Sequence, residues 1–276
     1  MPSLTVSTVG TSLLTNALSR ASQNNRIGDV LNHANDDEDR LPSEIQSLAE
    51  TTIQRTVEEL RVQDTDAVRA ASAELNGLLS LYEDQTYDDR DQHWLVATDT
   101  ALGKRTAEGV KQVLEDRGFN TVQIQTPRGL SAEDTHTLEE GVKHFLDWCE
   151  RTLPGFRDSG YEVIFNLTGG FKSLQGILNT VGTFYADRMI YIFQTGPELI
   201  TIPRLPVKLD SDLFRHKPSR FLRLAALDRV EEATLPADVF SDVPDTLIDV
   251  VDGRVYSFSA WGRLLWNQER RSLLKR

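Results

Sequence analysis

The sequence contains little cysteine and has a deficit of positive charge. Cys149 is the one cysteine among 276 residues, so a disulfide framework and a thiolate metal site are excluded. Lys and Arg total 30 against 42 Asp and Glu, a net charge of −12 at pH 7. Because long nucleic acids are bound mainly by neutralising their phosphates, this charge opposes a general nucleic-acid affinity. Any anionic ligand must be small and held locally.

Long apolar runs are also absent. No apolar run approaches the roughly 20 residues that span a bilayer. The opening residues, MPSLTVSTVG, lack the basic flank that is typical of a secretory signal. We therefore expect a cytoplasmic protein without membrane contact.

Several motifs that define nucleotide, metal and hydrolase sites are missing. In GGFKS the lysine follows Phe171, where a P-loop needs glycine, and no G-x-G-x-x-G follows the first predicted strand. There is no H-E-x-x-H and no G-x-S-x-G. The histidines are scattered without metal spacing: His33, His93, His136, His144 and His216. The sequence favours chemistry without a metal or cofactor.

Apolar β-rich runs alternate with segments of helical periodicity. The predicted strands are 3–9, 93–98, 121–126, 161–167 and 189–195, with an edge strand at 198–203. The predicted helices include 45–60 and 68–82, which precede the second strand, then 104–117, a helix starting near Ser131, and one after TGGFKS. This alternation predicts an α/β fold, a Rossmann-like parallel sheet with helices on both faces. The acidic segments 35–40 and 82–92 are expected to be solvated loops.

The pattern changes near residue 208. A helix over 220–233, a hairpin turning at Asp252-Gly253 and a helix over 260–270 predict a small winged-helix-like module. We therefore divide the chain into a sheet domain, 1–207, and a C-terminal module, 208–276. The module either dimerises the protein or braces the sheet. Its last stretch, GRLLWNQERRSLLKR, carries five basic residues and one acid, so contact with an anionic partner stays open.

Ligands of open parallel sheets bind beyond the carboxyl ends of the strands. That rule selects four small, hydroxylated or glycine-rich clusters: Gly10, Thr11 and Ser12; Thr98, Asp99 and Thr100; Gln125 and Thr126; and Thr168, Gly169, Gly170, Phe171, Lys172 and Ser173. Asn16 lies one turn into the first helix, and its role, structural or ligand-binding, stays open. The hydroxyls at the start of that helix could equally be an N-cap.

The fourth cluster, in NLTGGFKSLQG, has the composition of a phosphate site. Gly169 and Gly170 allow a ligand to approach the backbone, and the N–H groups at the start of a helix attract anions. Lys172 stands in the first helical turn, where a cation opposes the helix dipole, so its position calls for a reason. A phosphodiester fits this pattern better than a triphosphate with magnesium. The alternative is a tight strand-to-helix turn with a surface lysine.

STVGTSLLTN (7–16) and NLTGGFKSLQG (166–176), set in such a sheet, resemble the CARF domain, the CRISPR-associated Rossmann fold that senses cyclic oligoadenylates. The resemblance covers roughly residues 3–205 and is nearest to the standalone ring nucleases. It implies a homodimer that opens cyclic tetra-adenylate. It also implies that Ser12 and Lys172 are the catalytic side chains, and that 98–103 closes on the adenines.

Three functions follow from these features. The first is a metal-independent ring nuclease that switches off type III CRISPR signalling. The second is a transcriptional regulator gated by cyclic oligoadenylate, which binds DNA through the C-terminal module without catalysis. The third is a nucleotide-binding scaffold with neither activity.

Overall fold

The computed structural model describes residues 1–83, 85–170, 172–192, 198–207, 214, 218–227, 229–231, 243–251 and 253–274. Side chains at 172–173, 218–220, 251 and 271–274 are outside this description. Two sheets are present in the described residues. The larger contains β1 (Ser3–Val9), β2 (Gln92–Ala97), β3 (Val122–Gln125), β4 (Glu162–Asn166), β5 (Arg188–Ile192) and β6 (Leu199–Pro203).

The larger sheet has the strand order β3-β2-β1-β4-β5-β6. Strands β1 to β5 run parallel, and β6 pairs antiparallel with β5 at the edge. All seven residues of β1 are buried, as expected for a central strand that is covered on both faces. The predicted Rossmann-like α/β fold with an edge sixth strand is therefore confirmed. Of the predicted fifth strand, residues 193–195 lie outside the described residues.

Helices cover both faces of this sheet. They are α1 (Ser12–Arg20), α2 (Asn24–Asn32), α3 (Ser43–Leu60), α4 (Thr65–Ala71), α5 (Ala73–Leu81), α6 (Ala101–Asp116), α7 (Thr135–Asp158) and α8 (Lys172–Tyr185). One core joins α1 to α6 with one face of the sheet, and a second joins α7 and α8 with the other. The order of strands reverses between β1 and β4, which places the ligand crevice of such folds between those two strands. No helix in the described residues combines the length and apolarity needed to cross a bilayer.

Two predicted helix boundaries were wrong. The segment 68–82 is two helices, because Ser72 is extended and its hydroxyl accepts the Leu75 N–H at 3.2 Å as the N-cap of α5. Helix α7 begins at Thr135 instead of near Ser131, and Asp134 is its N-cap, accepting the Thr137 N–H at 2.9 Å. In both cases a side chain accepts the backbone N–H three residues further on, and this bond sets the start of a helix. The apolar periodicity runs past that point and does not reveal it.

The acidic loop 82–92 is only partly solvated. Asp91 is 1% exposed, and its carboxylate accepts the N–H of Ser3 at 2.6 Å and the hydroxyl of Tyr82 at 3.1 Å. Tyr82 and Tyr87 also pack around the buried ring of His93. The loop therefore closes the amino end of the sheet, opposite the predicted ligand edge.

The C-terminal residues form a small module with its own core. Helix α9 (Pro218–Leu227) ends earlier than predicted, because Val230–Glu231 forms a strand, β7. Strand β7 pairs with β9 (Val255–Phe258). Strand β9 also pairs with β8 (Ile248–Val251), and these two strands form the predicted hairpin. Asp252, predicted at the turn, lies outside the described residues.

The closing helix fixes this module to the sheet domain. Helix α10 (Ala260–Leu274) contributes Ala260 and Leu264 to the core beneath α7. Ion pairs support the contact: Lys143 Nζ lies 2.8 Å from Asp249 Oδ2, and Arg263 Nε lies 3.5 Å from Asp147 Oδ1. The module thus packs against the sheet domain, and its role in dimerisation stays a prediction.

The buried ring of His93 predicts acid sensitivity. Burial lowers the pKa of His93 to about 4, although the Asp91 charge acts in the opposite direction. The unfolded chain, with an imidazole pKa of about 6.5, then binds more protons than the folded chain between these values, so stability falls as pH drops. At 1.36 kcal/mol per pH unit, lowering the pH from 7 to 5 should cost about 2 kcal/mol through this group.

Urea unfolding of the wild type and His93→Leu at pH 7 and pH 5 measures this contribution. The loss of unfolding free energy should be about 2 kcal/mol smaller in His93→Leu. The exposed His136→Gln variant is the matched control and should lose as much as the wild type. Equal losses in the wild type and His93→Leu would show that the buried imidazole does not set the pH dependence.

Candidate functional site

The two glycine-containing loops predicted to form the site lie against each other at the crevice between β1 and β4. A methyl group placed on Gly10 would lie 3.2 Å from Gly170 Cα. Thr8 Oγ1 donates a hydrogen bond to the Gly169 carbonyl at 2.6 Å, and this bond joins the end of β1 to the loop after β4. Gly170 has φ +95°, a conformation that L side chains rarely adopt. Glycine is thus strongly favoured at the Gly170 turn, and it relieves crowding at Gly10 where the two loops meet.

A buried carboxylate that the sequence interpretation missed lies between these loops. Glu74, in the first turn of α5, is 1% exposed. Its Oε1 accepts the Gly10 N–H at 2.8 Å, and its Oε2 accepts the Ser12 hydroxyl at 2.5 Å. Ser12 Oγ in turn accepts the Ala73 N–H at 3.1 Å. Glu74 and Ser12 therefore link α5 to the start of α1.

The start of α5 is anchored on strand β4 as well. Asn166 is fully buried, and its Nδ2 donates to the backbone carbonyl of Glu74 at 3.1 Å and to Ser7 Oγ at 3.2 Å. A methyl group on Gly77 would lie 2.3 Å from Asn166 Oδ1, so a larger residue there would push α5 away. These contacts fix the backbone of α5 at Glu74 and thereby the position of the Glu74 carboxylate.

The structure separates Thr11, whose hydroxyl makes no cap bond, from Asn16, which bonds the backbone of a neighbouring helix. Thr11 precedes α1 without a side-chain cap bond, so the N-cap interpretation of this hydroxyl was wrong. Asn16 Nδ2 donates to the Ala71 carbonyl at 3.3 Å, which ties α1 to the end of α4. Asn16 also lines a groove of about 640 Å³ together with Arg20 and residues of α3 and α4. Its role toward a ligand stays a prediction.

The cluster after β2 is held by capping bonds. Thr98 and Thr100 are almost fully buried, their hydroxyls lie 3.0 Å apart, and Thr100 Oγ1 accepts the Gly103 N–H as the N-cap of α6. Asp99 is more exposed: its Oδ1 lies 2.7 Å from Lys104 Nζ, and its Oδ2 accepts the Gly129 N–H at 2.9 Å. Burial alone would raise the pKa of Asp99. The bonds from Lys104 and the Gly129 N–H outweigh this effect, so the pKa lies below its usual value. A ligand contact through Thr98 or Thr100 would require these bonds to be exchanged.

The remaining predicted residues lie at different distances from the crevice. Gln125 ends β3, the edge strand, and Thr126 follows it, so β2 separates both from β1. Thr168 lies in the crevice loop, and its buried Oγ1 has no hydrogen-bond partner among the described residues. Phe171 lies outside the described residues. The backbone of Lys172 and Ser173 begins α8, and their side chains are not described.

Three helices begin around this crevice. Helix α1 begins at Ser12, α5 at Ala73 and α8 at Lys172. N-terminal turns carry partial positive charge and unpaired N–H groups, so their convergence favours an anion. Glu74 is the anion that the protein itself supplies on one side. Among the described residues, no group of three or more His, Cys, Asp or Glu is arranged to hold a metal ion.

Residues 69–205 match the model of a protein family described as CRISPR-associated protein (Cas_APE2256). The match supports a CRISPR-associated protein. The matched segment runs from α4 to the residues after β6, so it includes Glu74 and the Gly169-Gly170 loop but not Gly10 or Ser12. A comparison with curated proteins finds no significant match.

Placing a methyl group at Gly169 tests whether the Glu74 carboxylate packs against the loop after β4. In Gly169→Ala the new Cβ would lie 2.3 Å from Glu74 Oε1, so the carboxylate must leave the Gly10 N–H and the Ser12 hydroxyl. Buried donors without partners cost about 1–3 kcal/mol, and the free energy of unfolding should fall by that amount.

Gly176→Ala is the matched control, because Gly176 is an exposed residue of α8 with nothing within 4 Å of its new methyl group. It should stabilise the protein by roughly 0.5–1 kcal/mol through helix propensity. Urea unfolding of both variants gives the two values. A Gly169→Ala variant as stable as the wild type would mean that the carboxylate does not pack against the loop.

Proposed function

We propose that this protein is a metal-independent ring nuclease that binds and cleaves cyclic tetra-adenylate and so switches off type III CRISPR signalling. The contact of the Gly10 and Gly169-Gly170 loops at the strand-order reversal carries the proposal, because it unites the two motifs that resemble the CARF domain. The match to a CRISPR-associated family over residues 69–205 supports the same biological setting.

A homodimer is part of this proposal. Cyclic tetra-adenylate has four phosphates in near four-fold symmetry, whereas a two-fold dimer presents two copies of each loop. Ser12 and Lys172 of both protomers would then face opposite phosphates of one ring. The proposed ligand lies across the carboxyl ends of β1 and β4, the edge where the helix N-termini converge.

The proposed reaction uses a nucleophile that the substrate carries. The 2′-oxygen attacks the neighbouring phosphorus in line with the leaving 5′-oxygen, and the protein supplies alignment and charge stabilisation. Lys172 and the N–H groups after Gly169 would stabilise the phosphoryl oxygens, while Ser12 contacts the 2′-hydroxyl or an adjacent oxygen. The products are linear oligoadenylates that end in a 2′,3′-cyclic phosphate. We expect slow turnover, because none of the four histidines in the described residues belongs to the crevice loops.

The DNA-binding alternative depends on the basic stretch that begins at Arg263. Arg263 pairs with Asp147, and Lys143 of α7 pairs with both Glu140 and Asp249. These cations are thus engaged within the protein at the contact between the module and α7. A gated regulator would still reveal itself by a DNA affinity that changes with cyclic oligoadenylate in gel-shift experiments.

Cleavage of radiolabelled cyclic tetra-adenylate in EDTA tests the activity. The wild type should open the ring without added metal, and Lys172→Ala should reduce the rate at least about 100-fold, since charge stabilisation of this kind contributes that much. Binding should be retained. Lys111→Ala, which removes a surface lysine beside Glu115 on α6, is the matched control and should cleave normally. Unchanged cleavage in Lys172→Ala, or a requirement for metal, rejects the site.

Light scattering tests the dimer. The chain has a mass of 31.1 kDa, so the particle should have about twice that mass with and without the ring. The reason is that a single copy offers one set of loops to a ligand with two equivalent sides. A particle that stays monomeric at saturating cyclic tetra-adenylate would contradict a shared site.

A further inference from the structure

The hydrogen bonds of Ser12 limit what this hydroxyl can offer a ligand. A serine hydroxyl has one hydrogen to donate and two lone pairs that accept. The hydrogen is directed to Glu74 Oε2 at 2.5 Å, and one lone pair accepts the Ala73 N–H at 3.1 Å. One lone pair remains. A ligand group that contacts Ser12 in this arrangement must therefore be a hydrogen-bond donor.

This requirement separates the two oxygens that a ribose phosphate presents near its reacting bond. A phosphoryl oxygen only accepts hydrogen bonds, whereas the ribose 2′-hydroxyl can donate one. The remaining lone pair of Ser12 is thus matched to the 2′-hydroxyl and mismatched to phosphate. Ser12 is partly exposed, while Glu74 is 1% exposed, so the ligand can reach the hydroxyl but not the carboxylate behind it.

We propose that Glu74 is a positioning residue that fixes Ser12 as the acceptor of the ribose 2′-hydroxyl and takes up the proton that this hydroxyl releases. The inference rests on the proposed function, because it assigns a role within that same site. It supplies the base that the sequence alone did not reveal. Glu74 acts through Ser12 and does not touch the substrate.

The step balances without any further reactant. The 2′-hydroxyl gives its proton to Ser12 Oγ as the hydroxyl proton of Ser12 passes to Glu74 Oε2. The 2′-oxygen forms a bond to phosphorus and the bond from phosphorus to the 5′-oxygen breaks. The 5′-oxygen takes a proton from Lys172 or water, and Glu74 later returns its proton to solvent. Nothing is oxidised or reduced.

The groups around Glu74 hold its carboxylate and the Ser12 hydroxyl in position. The groups that face the carboxylate are the Gly10 N–H, the Ser12 hydroxyl and the Gly169 backbone. The side-chain amide of Asn166, on β4, donates to the backbone carbonyl of Glu74 at 3.1 Å. No ionisable side chain other than Glu74 takes part in these described contacts, and Lys172, the ionisable residue two positions beyond Gly170, is the other titratable group that the proposed site contains.

A double-mutant cycle tests whether Glu74 acts through Ser12. Glu74→Gln keeps the shape but offers one acceptor oxygen where Gly10 and Ser12 need two, so the Ser12 hydrogen is no longer held. Under single turnover, Glu74→Gln and Ser12→Ala should each lower the cleavage rate constant at least about 100-fold, the usual contribution of a positioned base. The double variant should be no more than about threefold slower than either. The Kd for cyclic tetra-adenylate should stay within about threefold.

Glu108→Gln, an exposed change on α6, is the matched control and should leave the rate unchanged. Multiplicative losses in the double variant, or a normal rate in Glu74→Gln, would overturn the inference while the proposed function stands. A wild type that binds the ring without cleaving it, or does not bind it, would overturn the proposed function and the inference with it.

A second measurement does not require Glu74→Gln to fold. Under single turnover the wild type should cleave more slowly in D2O than in H2O, because two protons move together through Ser12 in the proposed step. In Ser12→Ala this solvent isotope effect on the residual rate should be smaller. The same isotope effect in both proteins would overturn the inference.

Discussion

The packing of the loop after β1 against the loop after β4 is the contact on which the rest of the site depends. It brings Gly10 beside Gly170 and allows Thr8 to bond the Gly169 carbonyl. Glycine suits both contact positions, because a methyl group on Gly10 would crowd Gly170 and Gly170 has φ +95°. The strand order places these loops at the reversal of the sheet, where ligands of such folds bind. Everything that we propose about catalysis assumes this juxtaposition.

A buried carboxylate at this place gives the site its polarity. Glu74 accepts hydrogen bonds from the Gly10 N–H and the Ser12 hydroxyl, so the protein has filled part of an anion-binding position with its own charge. Because the Ser12 hydroxyl donates its hydrogen to Glu74, it can only accept a hydrogen bond from a ligand. Lys172 and the amides at the start of α8 would then be the groups that meet phosphate. The Ser12 side of the site would receive the proton of the 2′-hydroxyl, and the α8 side would stabilise negative charge on phosphate. Attack of a ribose 2′-oxygen on the neighbouring phosphorus needs both.

The sequence predicted the sheet well and the site in part. Apolar strands and helical spacing are local signals, and so is the run of Gly169-Gly170 before a helix; the positions of these elements followed from them. Glu74 was missed because its partners, Gly10 and Ser12, lie more than 60 positions away in sequence. One signal was available: Glu74 shares the buried stripe with Leu78 and Leu81, where a carboxylate calls for donors. Ser72 and Asp134 set helix boundaries through capping bonds that apolar periodicity does not record.

The most direct test of the account is a crystal structure of Lys172→Ala with cyclic tetra-adenylate, because this variant should retain binding and cleave at least about 100-fold more slowly. The account predicts one ring between two protomers. A ribose 2′-hydroxyl should donate to Ser12 Oγ, the Glu74 carboxylate should still bond Ser12, and phosphate should lie at the start of α8. A ring bound elsewhere, or one whose phosphate replaces the Glu74 carboxylate beside Gly10, would contradict it.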